Sequence, residues 1–195
     1  MKRVEINEIL FKKLIDGVKH CVSKDGCRPV LEYIQIKIKP DTITAYALDG
    51  FRAGRVEIKN TCPIEEEFTC YVRPLMLKVS KRGTNFVVIE QSGEKTFVEV
   101  MTEYGVLRYG FNIPNDEFFD IEKVYTAARP HDRELAVQPR YVIDALKALN
   151  TIGYCIGGHR AVFEIKENNK EPFIIRAKNE DITNEQLILS VKLGD

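Results

Sequence analysis

The residues of this 195-residue chain that could do covalent or metal chemistry are five cysteines, three histidines and scattered acids, and their spacing supports none of it. Cys21, Cys27, Cys62, Cys70 and Cys155 include no pair at the close separation of a zinc knuckle or a redox couple. They read as free thiols, used as small core hydrophobes in a reducing cytoplasm. His20, His131 and His159 have no companions at ligand spacing, and Gly157-Gly158-His159 reads as a turn. Asp116, Glu117 and Asp120 lack an EF-hand pattern and read as a solvated acidic loop. Gly93-Glu94-Lys95-Thr96 ends like a phosphate loop but lacks the upstream glycine that shapes the cradle, and it sits between strands. No serine or cysteine stands in an elbow or triad order. No catalytic residue, metal or cofactor is expected, and the chain is not expected to be an enzyme.

What remains is charge. Twenty-nine Lys and Arg balance 29 Asp and Glu, so any binding of an anionic polymer must come from local segregation. Cations gather on candidate helices and just after them: Lys12, Lys13 and Lys19, then Lys24 and Arg28; Arg73, Lys78, Lys81 and Arg82; Arg140 and Lys147, interrupted by Asp144. Acids gather elsewhere, in Glu65-Glu66-Glu67 and at Asp116, Glu117, Asp120 and Glu122. Lysines and arginines on a helix face suit backbone phosphates, because each contact releases condensed counterions without reading a base. The same residues are also what the solvated face of any amphipathic helix requires. No stretch approaches the roughly 18 apolar residues of a membrane span, so a soluble, cytoplasmic protein with no membrane partner is expected.

The elements that must position these cations form one unit written three times: a short strand, a helix, then three strands. The first copy has Val4-Glu5-Ile6, a helix from Asn7 to Val22, and strands over Leu31 to Lys39, Thr42 to Leu48 and Ala53 to Ile58. Leu10, Leu14, Val18 and Cys21 form the helix's core stripe, with Lys12, Asp16, Lys19 and Ser23 opposite. Strict alternation over Ile34 to Lys39 predicts one buried and one wet face. The second copy opens with Phe68 to Val72, starts a short helix at Arg73-Pro74, and continues in strands at Phe86 to Glu90, Phe97 to Met101 and Val106 to Phe111. The third has Glu134 to Val137, a helix from Pro139 to Leu149, and strands at Ala161 to Lys166, Phe173 to Ala177 and Leu187 to Lys192. Pro40-Asp41, Gly93-Glu94 and Asn168-Asn169 supply turns. Asn112 to Asp132 reads as a connector. The partition is a two-unit domain over 1–118 and a half domain over 119–195.

Arg28-Pro29-Val30-Leu31, followed by Ala47-Leu48-Asp49-Gly50-Phe51-Arg52, resembles the second domain of the bacterial DNA polymerase III β subunit, the sliding clamp. The helix segment Phe11 to Asp16 is similar to its counterpart there, and Glu117 to Val124 resembles the crossing to the third domain. Tyr141 to Leu146 and the ending Leu189-Ser190-Val191-Lys192-Leu193 resemble the second half of that third domain, with Ser190 in place of a proline. The resemblance implies an α+β DNA-clamp fold of three β-α-β-β-β units, one full clamp domain plus a half domain. It implies helices facing duplex DNA and a peptide cleft for DNA polymerase and other clamp-binding proteins, with a clamp loader as a further partner. Carried over by position, the cleft comprises Leu31, Leu48, Gly50, Phe51, Arg52 and Ala53, then Phe119 and Val124, then Leu187, Leu189, Ser190, Val191 and Leu193. Leu31, Phe51, Val191 and Leu193 are its expected floor.

Two other readings stay open: a clamp-derived interaction protein that modulates the replication machinery without encircling DNA, and a plain duplex binder. Rings of the implied kind contain twelve such units, so a homo-oligomer is expected, with a dimer as building block and four chains as the ring candidate. A lone third unit should expose Val142, Leu146 and Leu149 and pair through them.

Overall fold

A computed structural model describes residues 2–24, 26, 28–50, 52–74, 86–102, 105–128, 135–149, 160–165, 172–178 and 183–189. The chain divides into two compact units, Met1–Thr126 and Ala127–Asp195.

The first unit contains β1 (Lys2–Asn7), α1 (Glu8–Val18), β2 (Ile34–Ile38), β3 (Thr42–Leu48), β4 (Ala53–Lys59), β5 (Phe68–Val72), β6 (Phe86–Ser92), β7 (Lys95–Thr102) and β8 (Gly105–Asn112). Its strands form two antiparallel sheets, ordered β1-β6-β7-β8 and β4-β3-β2-β5. The opening strand of each copy lies in the other copy's sheet. β1 pairs with β6 (Val4 opposite Ile89), and β5 pairs with β2 (Cys70 opposite Ile36). This reciprocal exchange makes two copies one domain, because neither sheet is complete without the other's strand. The shared core runs through Val4, Ile6, Ile34, Ile36, Val72, Val87, Ile89, Val98 and Val100.

α1 begins where Asn7 Oδ1 accepts the Ile9 and Leu10 amides at 3.0 and 3.4 Å, leaving two fewer orphan donors at the helix start. It buries Phe11, Leu14, Ile15 and Val18 against β4 and β3, and a short 3-10 turn over Lys19–Cys21 extends it. The expected stripe is thus shifted. Leu10 is exposed, and Phe11 and Ile15 take the core positions, because the Ile9-Leu10-Phe11 run allows either phase. The helix lies close on the sheet through two glycines. A Cβ on Gly17 would stand 2.6 Å from Val56 Cγ2, and one on Gly54 would stand 3.3 Å from the Val18 Cα. Gly17 costs the helix about 1 kcal/mol relative to alanine, and the close approach is what it allows.

The strand β2 has no wet face. Gln35 is buried and donates to the Tyr71 hydroxyl at 3.1 Å, and Lys37 lies 5.2 Å from the Tyr46 ring centroid. The stretch expected to start this strand at Leu31 is instead a 3-10 turn, Pro29–Glu32, as Pro29 in its first turn allows. Within the connector lies a helix, α2 (Ile121–Ala128). Phe118, Ile121 and Tyr125 pack with Val30, Leu31 and Tyr46, so this stretch groups with the first unit as far as Thr126 rather than parting from it at 118. The second copy's expected helix lies outside the described residues beyond Pro74.

The second unit contains α3 (Pro139–Leu149) over an antiparallel sheet β11-β10-β9, formed by β9 (Val162–Glu164), β10 (Phe173–Lys178) and β11 (Thr183–Ile188). Its core is Ala145, Leu149, Phe173, Ile175 and Ile188, with Val142 packed against it. Two expectations are corrected. Leu135, Ala136 and Val137 form no strand, and the one sheet among the described residues of this unit is β11-β10-β9. The last described strand is Thr183–Ile188, which begins four residues before the expected Leu187 and has its register fixed by Phe173 opposite Ile188; Ser190, Val191 and Lys192 lie outside the described residues. Leu149 is buried and Val142 half-buried, so the exposed apolar residues of α3 are Tyr141, Ile143 and Leu146.

Candidate DNA-facing and peptide-binding surfaces

Once Phe11, Leu14, Ile15 and Val18 face the sheet, helical geometry turns Lys12, Lys13, Asp16, Lys19 and His20 outward. Lys12 Nζ and Lys19 Nζ each donate to the Asp16 carboxylate at 2.6 Å. These hydrogen bonds, Lys12's first and then Lys19's, hold the Asp16 carboxyl below its ordinary range. Lys13 and Lys24 are exposed. Arg28 lies over the Phe119 ring, 5.7 Å from its centroid. Arg73 is not on an open helix face as expected: it pairs with Glu32 at 3.0 Å, sits 4.8 Å from the Tyr33 ring centroid, and is half-buried. Lys78, Lys81 and Arg82 lie outside the described residues. On α3, Arg140 and Lys147 flank Asp144 at 3.8 and 3.9 Å.

The Asp49-Gly50-Phe51-Arg52 turn is clamped on itself. Arg52 donates its amide to Asp49 Oδ1 at 3.1 Å and its Nε to Oδ2 at 2.9 Å, while Gly50 takes φ +90°, which a side chain would resist. The turn projects Arg52 into solvent, and Phe51 lies outside the described residues. Leu48 and Ala53, on either side of it, pack against the cluster of Val30, Leu31, Tyr46, Phe118 and Ile121. Leu31, within that cluster, is 7% exposed.

The connector is also held by polar contacts that the sequence did not signal. Tyr46 donates its hydroxyl to Glu122 Oε1, Arg55 Nε donates to the same oxygen at 3.2 Å, and Tyr125 donates to the Ala53 carbonyl at 3.0 Å. The Tyr46 hydroxyl, then Arg55 and Lys37, pull the Glu122 carboxyl below its ordinary range. Phe119 stays exposed, and Val124 lies within α2.

In the second unit, Leu187 and Leu189 are 63% exposed and line a shallow pocket of about 410 Å³ with Tyr141, Asp144, Ala145, Gln186 and Ile188. Tyr141 and Gln186 were not among the expected cleft residues. Tyr141 stood inside the resembling helix segment, and that was the signal available. Ser190, Val191 and Leu193 lie outside the described residues.

The whole chain overlays on half of a solved bacterial clamp. A protein described as a DNA polymerase III β subunit from Eubacterium rectale matches at TM-score 0.82 and 13% identity, over 100% of this chain and 52% of that one. This is the sliding-clamp fold at half length. The Bacillus subtilis clamp matches at 0.78 and 17%, over 96% and 49%, and the Thermotoga maritima β subunit at 0.73 and 16%, over 100% and 52%. The chain thus spans about half the length of the solved clamps it matches. No family model and no curated protein matches its sequence. The clamp resemblance read from the residues is borne out in the architecture, and at these identities the overlay carries the fold alone.

Among the described residues no cluster of three or more His, Cys, Asp or Glu could hold a metal ion, and no helix is long and apolar enough to cross a membrane. Cys21, Cys62 and Cys70 are free, and burial pushes the Cys70 thiol far up.

Proposed function

We propose that this chain is a clamp-like tether that holds duplex DNA through outward helix cations and recruits replication proteins through an apolar surface. The observation that carries the reading is the overlay of the whole chain on half a clamp, at TM-scores of 0.72–0.82 in eight solved structures. The outward Lys12, Lys13 and Lys19 supply cations suited to phosphates without base readout. Leu187, Leu189 and Tyr141 supply an apolar trough with Gln186 as a polar anchor, the composition a short linear motif needs. Partners of this kind include a DNA polymerase and a clamp loader. Exposed Tyr141, Ile143 and Leu146 on α3 favour self-association, so the tether acts as a homo-oligomer.

The test is retention on circular against linear duplex. A topological tether stays on circles and runs off linear ends, and a triple Lys12→Glu, Lys13→Glu, Lys19→Glu variant loses both. Equal retention on the two DNA forms means a surface binder, and unchanged retention by the triple variant removes α1 as the DNA face. For the apolar surface, Leu189→Ala should weaken a clamp-binding peptide by about 2 kcal/mol if it is a central anchor. Light scattering gives the oligomeric mass, and a strict monomer at high concentration ends the ring reading.

A further inference from the structure

The same three-residue device recurs on α1 and α3. On α1 it is Lys12, Asp16 and Lys19; on α3 it is Arg140, Asp144 and Lys147. In each, one aspartate stands four residues after one cation and three before another, which puts all three groups on one helix face. Each aspartate is also its helix's sole outward acid. The other acid of α1, Glu8, is buried, and Pro139–Leu149 contains no second acid.

We propose that Asp16, and Asp144 in the second unit, are built-in counterions that compete with DNA phosphates for the two cations beside them and keep the grip on duplex loose. The inference rests on the DNA-tether reading above. A carboxylate oxygen 2.6 Å from an ammonium stands where a phosphate oxygen would stand. Lysine has three donors and a flexible stem, so a passing phosphate can share or displace the carboxylate. The pair is partly solvated, with the Asp16 side chain 39% exposed, and such exposed ion pairs are weak enough to exchange. Each phosphate contact then releases less free energy than a bare lysine would give, because an existing partner is given up. A tether that must move along DNA needs contacts of this kind.

The experiment uses the full chain and measures affinity for a random duplex across a salt series, comparing wild type, Asp16→Asn, Asp144→Asn and Glu66→Gln. Glu66 is exposed and off both helices, so its substitution changes net charge equally without touching either device. Asp16→Asn should bind several-fold tighter, with a slope of log K against log salt steeper by about 0.9 per cation freed and up to about 1.8 for both. Asp144→Asn should move the same way by less, since its partners stand at 3.8 and 3.9 Å. A surface pair serving only helix stability leaves the slope unchanged, and that result overturns the proposal. So does an equal gain from Glu66→Gln, which would make the effect one of bulk charge. If neither wild type nor Asp16→Asn binds duplex at about 50 mM salt, the DNA-tether reading itself falls, and this inference falls with it.

Discussion

The first and second units are written in the same local pattern and buried to different depths. In the first, exchange of β1 and β5 closes two sheets around one core, and α1 buries Phe11, Leu14, Ile15 and Val18. In the second, the described strands form one sheet under α3, which buries only Ala145 and Leu149 among its described side chains, and Val162, Phe163 and Ile165 are exposed at and beside β9. The difference teaches that amphipathic patterning makes a helix lie on a sheet, while strand exchange between copies gives the layers a second side. The outward ion pairs follow suit: 2.6 Å on the well-seated α1, 3.8 and 3.9 Å on α3.

The largest break in this comparison should come from Phe11→Ala. Phe11 is fully buried, and losing a buried phenyl costs about 3–5 kcal/mol in transfer and cavity terms. On the helix of the second unit, Ile143→Ala at 51% exposed should stay within about 0.5 kcal/mol. Urea titration of both variants measures this directly, and equal losses would contradict the difference in depth. Next in size is Gly54→Ala. Its Cβ would press on the Val18 Cα at 3.3 Å and the Cys21 sulfur at 3.2 Å, so α1 must lift from the sheet at a cost of about 1–3 kcal/mol. Thermal melting at fixed protein concentration checks it, and a neutral result would show that the seat has slack.

Smaller again is the connector tether. Tyr46→Phe removes the hydroxyl from Glu122 and should cost about 1 kcal/mol, with the Arg55 contact to the carboxylate left in place. The loss should depend on pH. Glu122's carboxyl is held below its ordinary range when folded, so its stabilising contribution is present above the unfolded value and disappears as pH falls through the folded one. Wild type and Tyr46→Phe should therefore converge in strong acid, as measured by denaturation at neutral and acid pH.

How much of this was legible varies by element, for physical reasons. Thr42–Leu48, Phe68–Val72 and Pro139–Leu149 have the bounds the sequence indicates, because clear periodicity is bracketed by turn residues or proline. The exchange of β1 and β5 was not legible, since pairing between strands distant in sequence leaves no mark on either one. The phase of α1 was ambiguous across Ile9-Leu10-Phe11 and Leu14-Ile15, and contact with β3 and β4 decides it. The start of the strand expected at Leu187 was placed too late because Asn184, Glu185 and Gln186 look like loop, and only pairing with β10 makes them strand. At the candidate surfaces, the outward place of Lys12, Lys13 and Lys19 follows from helical spacing. That Asp16 grips two of them, that Arg73 turns to Glu32 and Tyr33, and that Glu122 anchors the connector depend on side-chain conformation.

The smallest expected effect sharpens the comparison most, because it sets identical spacing against unequal geometry. Asp16→Asn should lower stability by roughly 0.5 kcal/mol, the scale of two partly exposed pairs within one helix. Asp144→Asn should lower it by less, since its partners are farther away and its own side chain is 57% exposed. The Asp16 carboxyl is held down by Lys12 and then Lys19, so its contribution is present above the unfolded carboxyl value and is lost as pH falls through the folded one. The gap between wild type and Asp16→Asn should thus be open near neutral pH and closed in acid, and it should shrink with added salt. Differential melting of the two variants at low and high salt measures this. If Asp144→Asn costs as much as Asp16→Asn, ion-pair strength is set by helical spacing alone, and the seating of the helix on its sheet plays no part.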